Sequence, residues 1–328
     1  MRRRKASTPQ LGVLAGYLVK DHALRQIVPA LNTAGIEPML IKGMALVGQV
    51  YDAHERPACD IDMMVRPEQL EDATSVLRRL GFELRADPLR TRQEVRLHDL
   101  DATLRSVGFG GPLGRDRVAD WASFFHLELS SPRRFAGAHL ELHRHFGPPE
   151  RYQVDLDGFW ERAETVHGFK GRVFRPSPED HILLLATHRA RHDGGFPPND
   201  PRNIEDIRRL VCKSPIDWDE LVTRAREWRC TKVTWLALSS RGVDVPSWVL
   251  AALEPGWVQR LVIQGCLTKS DGAWVRRATS LGVFKDAYEK ITTLLLTIDG
   301  AELAFKTATT WSWRRLADLQ AAARGTVG

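Results

Sequence analysis

Two aspartates, Asp60 and Asp62, interrupt a short stretch that otherwise has the composition of a buried strand. The stretch reads CDIDMMV over residues 59–65, and its apolar residues favour burial. A strand has a side-chain period of two, so both aspartates project from one face, a few ångströms apart. Two carboxylates that close repel each other unless a positive charge lies between them. The pair therefore lies either at a solvated strand end or around a bound cation.

A second alternating stretch, HLELHRHF over residues 139–146, carries a third candidate carboxylate. Leu140 and Leu142 take one face of this strand, whereas Glu141 and His143 take the other. If it lies beside the aspartate strand, Glu141 completes a triad of oxygen ligands. Such a triad suits a hard cation such as Mg²⁺, which keeps several waters and binds substrate phosphates. In two-metal catalysis, ions roughly 3.5–4 Å apart clamp the attacking and leaving oxygens.

The dipeptide Lys42-Gly43 lies between a predicted strand, IEPMLI, and a predicted helix, GMALVGQVY. A glycine allows a ligand to approach the backbone closely, a helix N-terminus favours an anion, and the lysine adds a positive charge. Together these features indicate an anion-binding position.

The elements around these residues predict an α/β core. A helix is expected from about Gln10 to Ala34, with Gly35 as its C-cap. Pro67 begins the helix PEQLEDATSVLRRLG, and Gly81 ends it. The stretches FFHLELS and AHLELHRHF both alternate and predict an antiparallel hairpin. Residues 87–114 carry weak signals and are expected to form a mixed loop.

The second half of the chain is predicted to be helical. Ser177 and Pro178 supply the N-cap and first residue of the helix in SPEDHILLLATHRARH, and Asp217 caps a later helix in DWDELVTRAREW. Helical patterns continue to the C-terminus, so the domain boundary is placed near Arg175. The expected organisation is an N-terminal helical segment (1–34), an α/β core (35–175) and a C-terminal helical domain (176–328).

Charge and composition narrow the classes of partner. The 47 basic and 41 acidic residues give a net charge of +6 and a pI near 9.3. This mild excess suits an anionic ligand such as a nucleotide, but falls short of a dedicated nucleic-acid binder. The basic run MRRRK is expected to be a solvated tail. Four scattered cysteines without a CxxC pair predict reduced thiols in a cytoplasmic protein, and no apolar run approaches the roughly 20 residues that span a membrane.

Three segments, in this order, resemble the nucleotidyltransferases of the DNA polymerase β-like superfamily: LIKGMAL, ERPACDIDMMV and HLELHRHF. The resemblance is to a poorly characterised bacterial branch with Lys-Gly in place of Gly-Gly or Gly-Ser, and it covers about Gly35 to Pro246. Asp-Xaa-Asp alone is a weak signal, whereas the ordered set is fairly specific. It implies an α/β (α+β) fold: a minimal polymerase β-like core with a mixed or antiparallel sheet, followed by an all-helical C-terminal domain.

The resemblance also implies roles for the acidic residues and their neighbour. Asp60 and Asp62 would bind the Mg²⁺ that accompanies the nucleotide. Glu141 would hold a second Mg²⁺ and activate the acceptor hydroxyl, directly or through a water. His143, on the same strand face, is expected to orient Glu141.

For the nucleotide, the resemblance implies that Lys42 and the backbone at Gly43 bind the triphosphate. Arg56 is expected to be a phosphate-binding or a structural partner. Members with Gly-Ser use the serine on a phosphate, whereas Met44 follows the glycine here and offers no hydroxyl. Asp206, in the downstream stretch NIEDIRRL, is expected on a helix surface or at a cap, although the resemblance allows a pocket role.

The implied reaction is Mg²⁺-dependent attack of an acceptor hydroxyl on the α-phosphorus of an NTP, with release of pyrophosphate. A small molecule or a peptide is the first expected acceptor, because some relatives are associated with natural-product biosynthetic clusters. A protein hydroxyl (AMPylation) and a tRNA 3′ end are the alternatives. Two other classes remain open: a non-catalytic nucleotide-binding module and a basic nucleic-acid-binding protein.

Overall fold

The structure is a computed structural model that describes residues 8–57, 60–84, 126–135, 138–145, 152–192 and 201–257. The predictions for the basic N-terminal tail, for the segment 87–114 and for helices after residue 257 concern residues outside these ranges. None of the helices described is long and apolar enough to cross a membrane.

Helices and strands alternate in the first half of the described chain, and helices dominate the second half. The α-helices are α1 (Thr8–Thr33), α2 (Lys42–Leu46), α3 (Leu70–Arg79), α4 (Leu156–Glu161), α5 (Pro178–His192), α6 (Pro201–Lys213), α7 (Trp218–Glu227), α8 (Thr231–Leu238) and α9 (Ser247–Leu253). The strands are β1 (Met39–Leu40), β2 (Ile61–Met64), β3 (Glu83–Leu84), β4 (His126–Ser130), β5 (Leu140–His143), β6 (Glu164–Thr165) and β7 (Phe174–Arg175).

The strands form one mixed sheet in the order β3-β4-β5-β2-β1-β7-β6. β4 and β5 pair antiparallel, which confirms the predicted hairpin. β5 also pairs with β2, in parallel, and this register places Asp62 directly opposite Glu141. The expected α/β fold with a mixed sheet and a helical second half is therefore confirmed. The division into domains at residue 175 stays a prediction.

The sheet separates two hydrophobic clusters. On one face, Ile61, Met63, Leu140 and Leu142 pack with residues of α1 and α3. On the other face, apolar residues of β1 and β2 pack with residues of α5 to α9. Because side chains alternate along a strand, residues 62, 141 and 143 project towards the second face. The polar residues therefore lie on the side of the sheet that the C-terminal helices cover.

The helix ends follow the signals in the sequence, with one exception. Asp217 accepts a hydrogen bond from the backbone N–H of Glu220 at 3.1 Å and caps α7. Gly35 and Gly81 follow α1 and α3 in the left-handed region, with φ of +75° and +83°. The helix predicted over GMALVGQVY is wrong in length. It ends at Leu46, because the chain turns through Gly48 at φ +83°.

Candidate metal centre

Three neighbouring strands bring the candidate site residues together. Asp62 lies on β2, Glu141 and His143 lie on β5, and Lys42 follows the end of β1. The backbone N–H of Ile41 donates to the carbonyl of Asp62 at 3.1 Å, which fixes the lysine beside the aspartate. Strand pairing between segments distant in sequence therefore builds the centre.

Two cationic or proton-donating groups converge on the same pair of carboxylate oxygens. Lys42 Nζ lies 2.6 Å from Asp62 Oδ1 and 3.6 Å from Glu141 Oε2. His143 Nε2 lies 3.1 Å from Asp62 Oδ1 and 3.3 Å from Glu141 Oε2. A carboxylate oxygen can only accept, so Nε2 of the histidine carries its ring proton in this arrangement. His143 thus contacts Glu141, as the sequence predicted, and contacts Asp62 as well.

Asp62 and Glu141 are held in their ionised forms. Burial alone would raise the pKa of Asp62, but the Lys42 charge and the His143 hydrogen bond outweigh it and hold that pKa well below its usual range. Burial also opposes ionisation of Glu141, and the same two neighbours lower the pKa of Glu141. Both carboxylates are therefore available as anionic ligands at neutral pH.

Asp60 lies one residue before β2 and behaves differently. Its burial, together with the negative charges of Asp62 and Glu141, raises the pKa of Asp60 to about 6, while Lys42 opposes the shift. With all three carboxylates ionised, three negative charges face one lysine, which leaves a formal charge of −2. A divalent cation would neutralise that excess.

The donor set fits a metal ion. Asp62, Glu141 and His143 each offer one ligand atom, and these atoms lie within 4.8 Å of one another. They form the one such group of three found in the described residues. The sequence predicted Asp60, Asp62 and Glu141 as the ligands. A ring nitrogen of His143 lies in the same group, but Nε2 could bind a metal ion only after losing the proton that it donates to Asp62 and Glu141.

The Lys42-Gly43 dipeptide adopts an unusual backbone conformation. Lys42 has φ +53°, in the left-handed region that side-chain-bearing residues rarely adopt. A Cβ at Gly43 would clash with Arg56 Nη1, so a side chain at this position would displace that guanidinium. Helix α2 has five residues and starts at Lys42 itself. So short a helix sums few peptide dipoles, and the positive charge at this position comes from Lys42 and Arg56.

Arg56 is anchored by a residue of the C-terminal half. Its Nε and Nη2 donate to the two carboxylate oxygens of Asp206 at 2.8 and 2.7 Å. The expectation that Asp206 lies on a helix surface is wrong, because the residue is fully buried. The amphipathic pattern of α6 suggested exposure, but the carboxylate points inward, where the guanidinium compensates its charge.

Two further buried polar residues near Arg56 were missed by sequence reasoning. Tyr51 donates its hydroxyl to Asp206 Oδ1 at 2.7 Å. His181 on α5 is fully buried, and neither ring nitrogen has a hydrogen-bond partner within the described ranges. Burial lowers the pKa of His181, and the charges of Arg56 and Arg175 lower it further, to about 3. The ring is therefore neutral. Neither residue belongs to a short motif that could have singled it out.

The fold and the site together define an α/β protein with a buried acidic centre that can hold a metal ion, flanked by basic residues. Residues 13–240, more than two-thirds of the chain, match the model of a family described as uncharacterised nucleotidyltransferase. The chain belongs to that family, which supports nucleotidyl transfer as its general chemistry and an NTP as its substrate. No curated protein matches the chain.

Proposed function

We propose that the protein is a Mg²⁺-dependent nucleotidyltransferase that moves an NMP from an NTP to a hydroxyl of a small-molecule or peptide acceptor. One observation carries the proposal: Lys42 and His143 converge on two ionised carboxylates whose negative charge they do not fully compensate. Because the chain belongs to a nucleotidyltransferase family, we infer that the excess negative charge binds the divalent cation used in the transfer.

Each residue of the centre has a role in this proposal. Asp60, Asp62 and Glu141 would bind the metal. The family resemblance implies two Mg²⁺ ions. His143 would orient Asp62 and Glu141 through its Nε2. Mg²⁺, when bound, would neutralise the charge that develops on the phosphates during transfer.

Lys42, Arg56 and the backbone at Gly43 would bind the triphosphate. The Lys42 ammonium would leave the carboxylates for a phosphate oxygen once metal and nucleotide are present. The backbone at Gly43 has no side chain above it, and Arg56 Nη1 lies against it. These groups would bind the phosphates in place of the serine hydroxyl of Gly-Ser relatives.

The transfer itself is a displacement at phosphorus. The acceptor oxygen forms a bond to the α-phosphorus, and the bond from that phosphorus to the bridging oxygen breaks. Pyrophosphate leaves with the electron pair. The hydroxyl proton passes to a carboxylate of the centre, Glu141 by the family resemblance. Catalysis would come mainly from positioning and from charge neutralisation.

The test is a label-transfer assay with pyrophosphate detection. Purified protein is incubated with Mg²⁺, each α-labelled NTP and an extract of its own cells, beside Asp62→Asn and Glu141→Gln. Asp157→Asn is the matched control, because that carboxylate is 92% exposed and pairs with the surface residue Arg66. We expect label transfer by the wild type and by the control, and loss of transfer in both centre variants.

The product mass would separate the acceptors: a small molecule or peptide, a protein hydroxyl, or a tRNA 3′ end. Binding of Mg²⁺–NTP without any transfer would favour the non-catalytic nucleotide-binding module. Absence of both binding and transfer in the folded wild type would overturn the proposal.

A further inference from the structure

A buried carboxylate of the C-terminal half organises the loop that carries Arg56. Asp206 Oδ1 accepts from the Tyr51 hydroxyl at 2.7 Å and from Arg56 Nε at 2.8 Å, and Oδ2 accepts from Arg56 Nη2 at 2.7 Å. Only 1% of the Asp206 side chain is exposed. Three donors therefore bind one buried carboxylate, which lies 150 residues from Arg56 in the sequence.

The pair with Asp206 engages one edge of the Arg56 guanidinium, the edge formed by Nε and Nη2. Arg56 makes no other hydrogen bond to a residue within the described ranges. The remaining nitrogen, Nη1, lies where a side chain at Gly43 would begin. A guanidinium fixed along one edge presents its other donors in a known direction. Here that direction is the dipeptide Lys42-Gly43.

Helix α6, which carries Asp206, contacts the Arg56 loop through two further residues. Lys213 Nζ donates to the carbonyl of Val50 at 2.7 Å. Arg209 pairs with Glu55 at 2.9 Å, and its guanidinium carbon lies 4.2 Å from the centre of the Tyr51 ring. Residues 206, 209 and 213 lie on one face of α6, at helical spacing. The position of Arg56 is therefore set by α6 and not by its own short loop.

We propose that Asp206 and Tyr51 are positioning residues, which fix Arg56 so that its Nη1 and the Lys42 ammonium bind neighbouring oxygens of a triphosphate at Gly43. The inference rests on the proposed function, because it names the residues that shape the phosphate subsite of the same centre. A guanidinium already ordered by a buried carboxylate loses little conformational entropy when the phosphate binds. Helix α6 of the C-terminal half thereby completes the phosphate subsite.

The test measures triphosphate affinity separately from metal affinity. Inorganic triphosphate with Mg²⁺, and each Mg²⁺–NTP, are titrated calorimetrically into wild type, Asp206→Asn, Tyr51→Phe and Arg56→Met. We expect the Kd for triphosphate to rise about 100-fold in Arg56→Met and about 10-fold in Asp206→Asn, because charge-assisted phosphate bonds are lost or misdirected. Tyr51→Phe removes one hydrogen bond to the anchor, so its Kd rises about threefold. The Kd for Mn²⁺ alone is expected to stay unchanged in all three.

Arg208→Met is the matched control. Arg208 makes a second bidentate pair on α6, with Glu205 at 2.7 and 2.6 Å, but this pair faces solvent. We expect wild-type triphosphate affinity in this variant.

Asp206→Asn leaves a buried arginine without its full counter-charge, and it could fail to fold. The double variant Arg56→Met with Asp206→Asn removes both charges, keeps an acceptor for Tyr51 and restores a foldable core. In that variant the inference predicts the same loss as in Arg56→Met alone.

Wild-type triphosphate affinity in folded Asp206→Asn or in the double variant would overturn the inference and leave the nucleotidyltransferase proposal intact. A parallel loss of Mn²⁺ and triphosphate binding would also overturn it, because it would indicate a general structural role. If the folded wild type binds neither Mg²⁺–NTP nor Mg²⁺–triphosphate, the proposed function fails and this inference fails with it.

Discussion

Two buried ionic clusters in this protein differ in their balance of charge. One cluster surrounds Asp180, which accepts hydrogen bonds from Arg224 Nη1 at 2.6 Å and from Arg162 Nε at 3.0 Å. Glu179 lies 3.9 Å from Arg224 Nη2. Two arginines there face two buried acidic groups, and a third carboxylate, Glu220, lies 3.4 Å from Arg224 Nε but is 57% exposed. In the candidate metal centre, by contrast, three carboxylates face one lysine and one histidine.

The same difference appears in what surrounds each buried aspartate. Burial raises the pKa of Asp180, but both arginines oppose the rise. Burial also raises the pKa of Asp60, and there the neighbouring carboxylates add to the rise. A balanced cluster holds the fold together without a ligand, whereas an unbalanced one needs a cation from solution. The difference predicts that the first cluster is a structural ion network and that the second one has a functional role.

The strongest contrast is expected between Asp62→Asn and Asp180→Asn. Asp62→Asn removes a proposed metal ligand, so we expect label transfer to fall at least about 10³-fold while the protein stays folded. Transfer rates and thermal unfolding would be measured on both variants. Near-wild-type transfer in folded Asp62→Asn would break the assignment of this cluster as the functional one.

Asp180→Asn should show the opposite behaviour. Its substitution leaves two buried or half-buried arginines without their common partner, which should lower the free energy of unfolding by about 3–4 kcal/mol. Metal affinity per folded molecule should be unchanged. Urea unfolding and Mn²⁺ titration would measure the two quantities, and a specific loss of Mn²⁺ binding would contradict the separation of the two clusters.

The pKa of Asp60 makes the stability of the metal-free protein depend on pH. A carboxyl whose folded pKa is raised contributes stability that is full below its unfolded value and is lost as pH rises through the folded value. The window here runs from about 4 to about 6. In the presence of a chelator, Asp60→Asn should therefore stabilise the protein by about 3 kcal/mol at pH 7.5 and have little effect at pH 4. Denaturant unfolding at the two pH values checks this, and equal effects at both would contradict it.

Lys42→Met tests whether the lysine competes with a metal ion for Asp62 and Glu141. In the free protein the lysine is the resident counter-charge of Asp62 and Glu141, so its removal should tighten Mn²⁺ binding about tenfold in the absence of nucleotide. The same change should weaken triphosphate binding, because a phosphate donor is lost. Titrations of Mn²⁺ alone and of Mg²⁺–triphosphate would separate the two effects. Weaker Mn²⁺ binding in the folded variant would show that the lysine supports the metal site and does not compete with it.

The sequence predicted the parts of this centre that depend on strand geometry. The period of two placed Asp60 and Asp62 on one face and set Glu141 opposite the leucines of its strand. The sequence left the pairing of the two strands as a condition for the triad, and the structure meets that condition, because the register places Asp62 opposite Glu141. These inferences needed only local pattern and the chemistry of the side chains.

What the sequence could not predict depends on contacts between distant segments. Arg56 and Asp206 are 150 residues apart, and the pattern of α6 gave no sign that one of its acidic residues points inward. The positive φ of Lys42 likewise reflects its place between β1, α2 and the carboxylates and not its residue type. The short length of α2 depends on the turn at Gly48, which the apolar run around it concealed.

The most direct test of the central claim, that the unbalanced cluster is a metal centre, is Mn²⁺ binding followed by electron paramagnetic resonance. Mn²⁺ is a suitable probe because carboxylate sites that accept Mg²⁺ also accept it. Wild-type protein, Asp62→Asn, Glu141→Gln and the exposed control Asp157→Asn would be titrated at pH 7.5. The account predicts saturable binding by the wild type and the control, and its loss in both centre variants. Binding that survives in both centre variants, or none in the folded wild type, would contradict it.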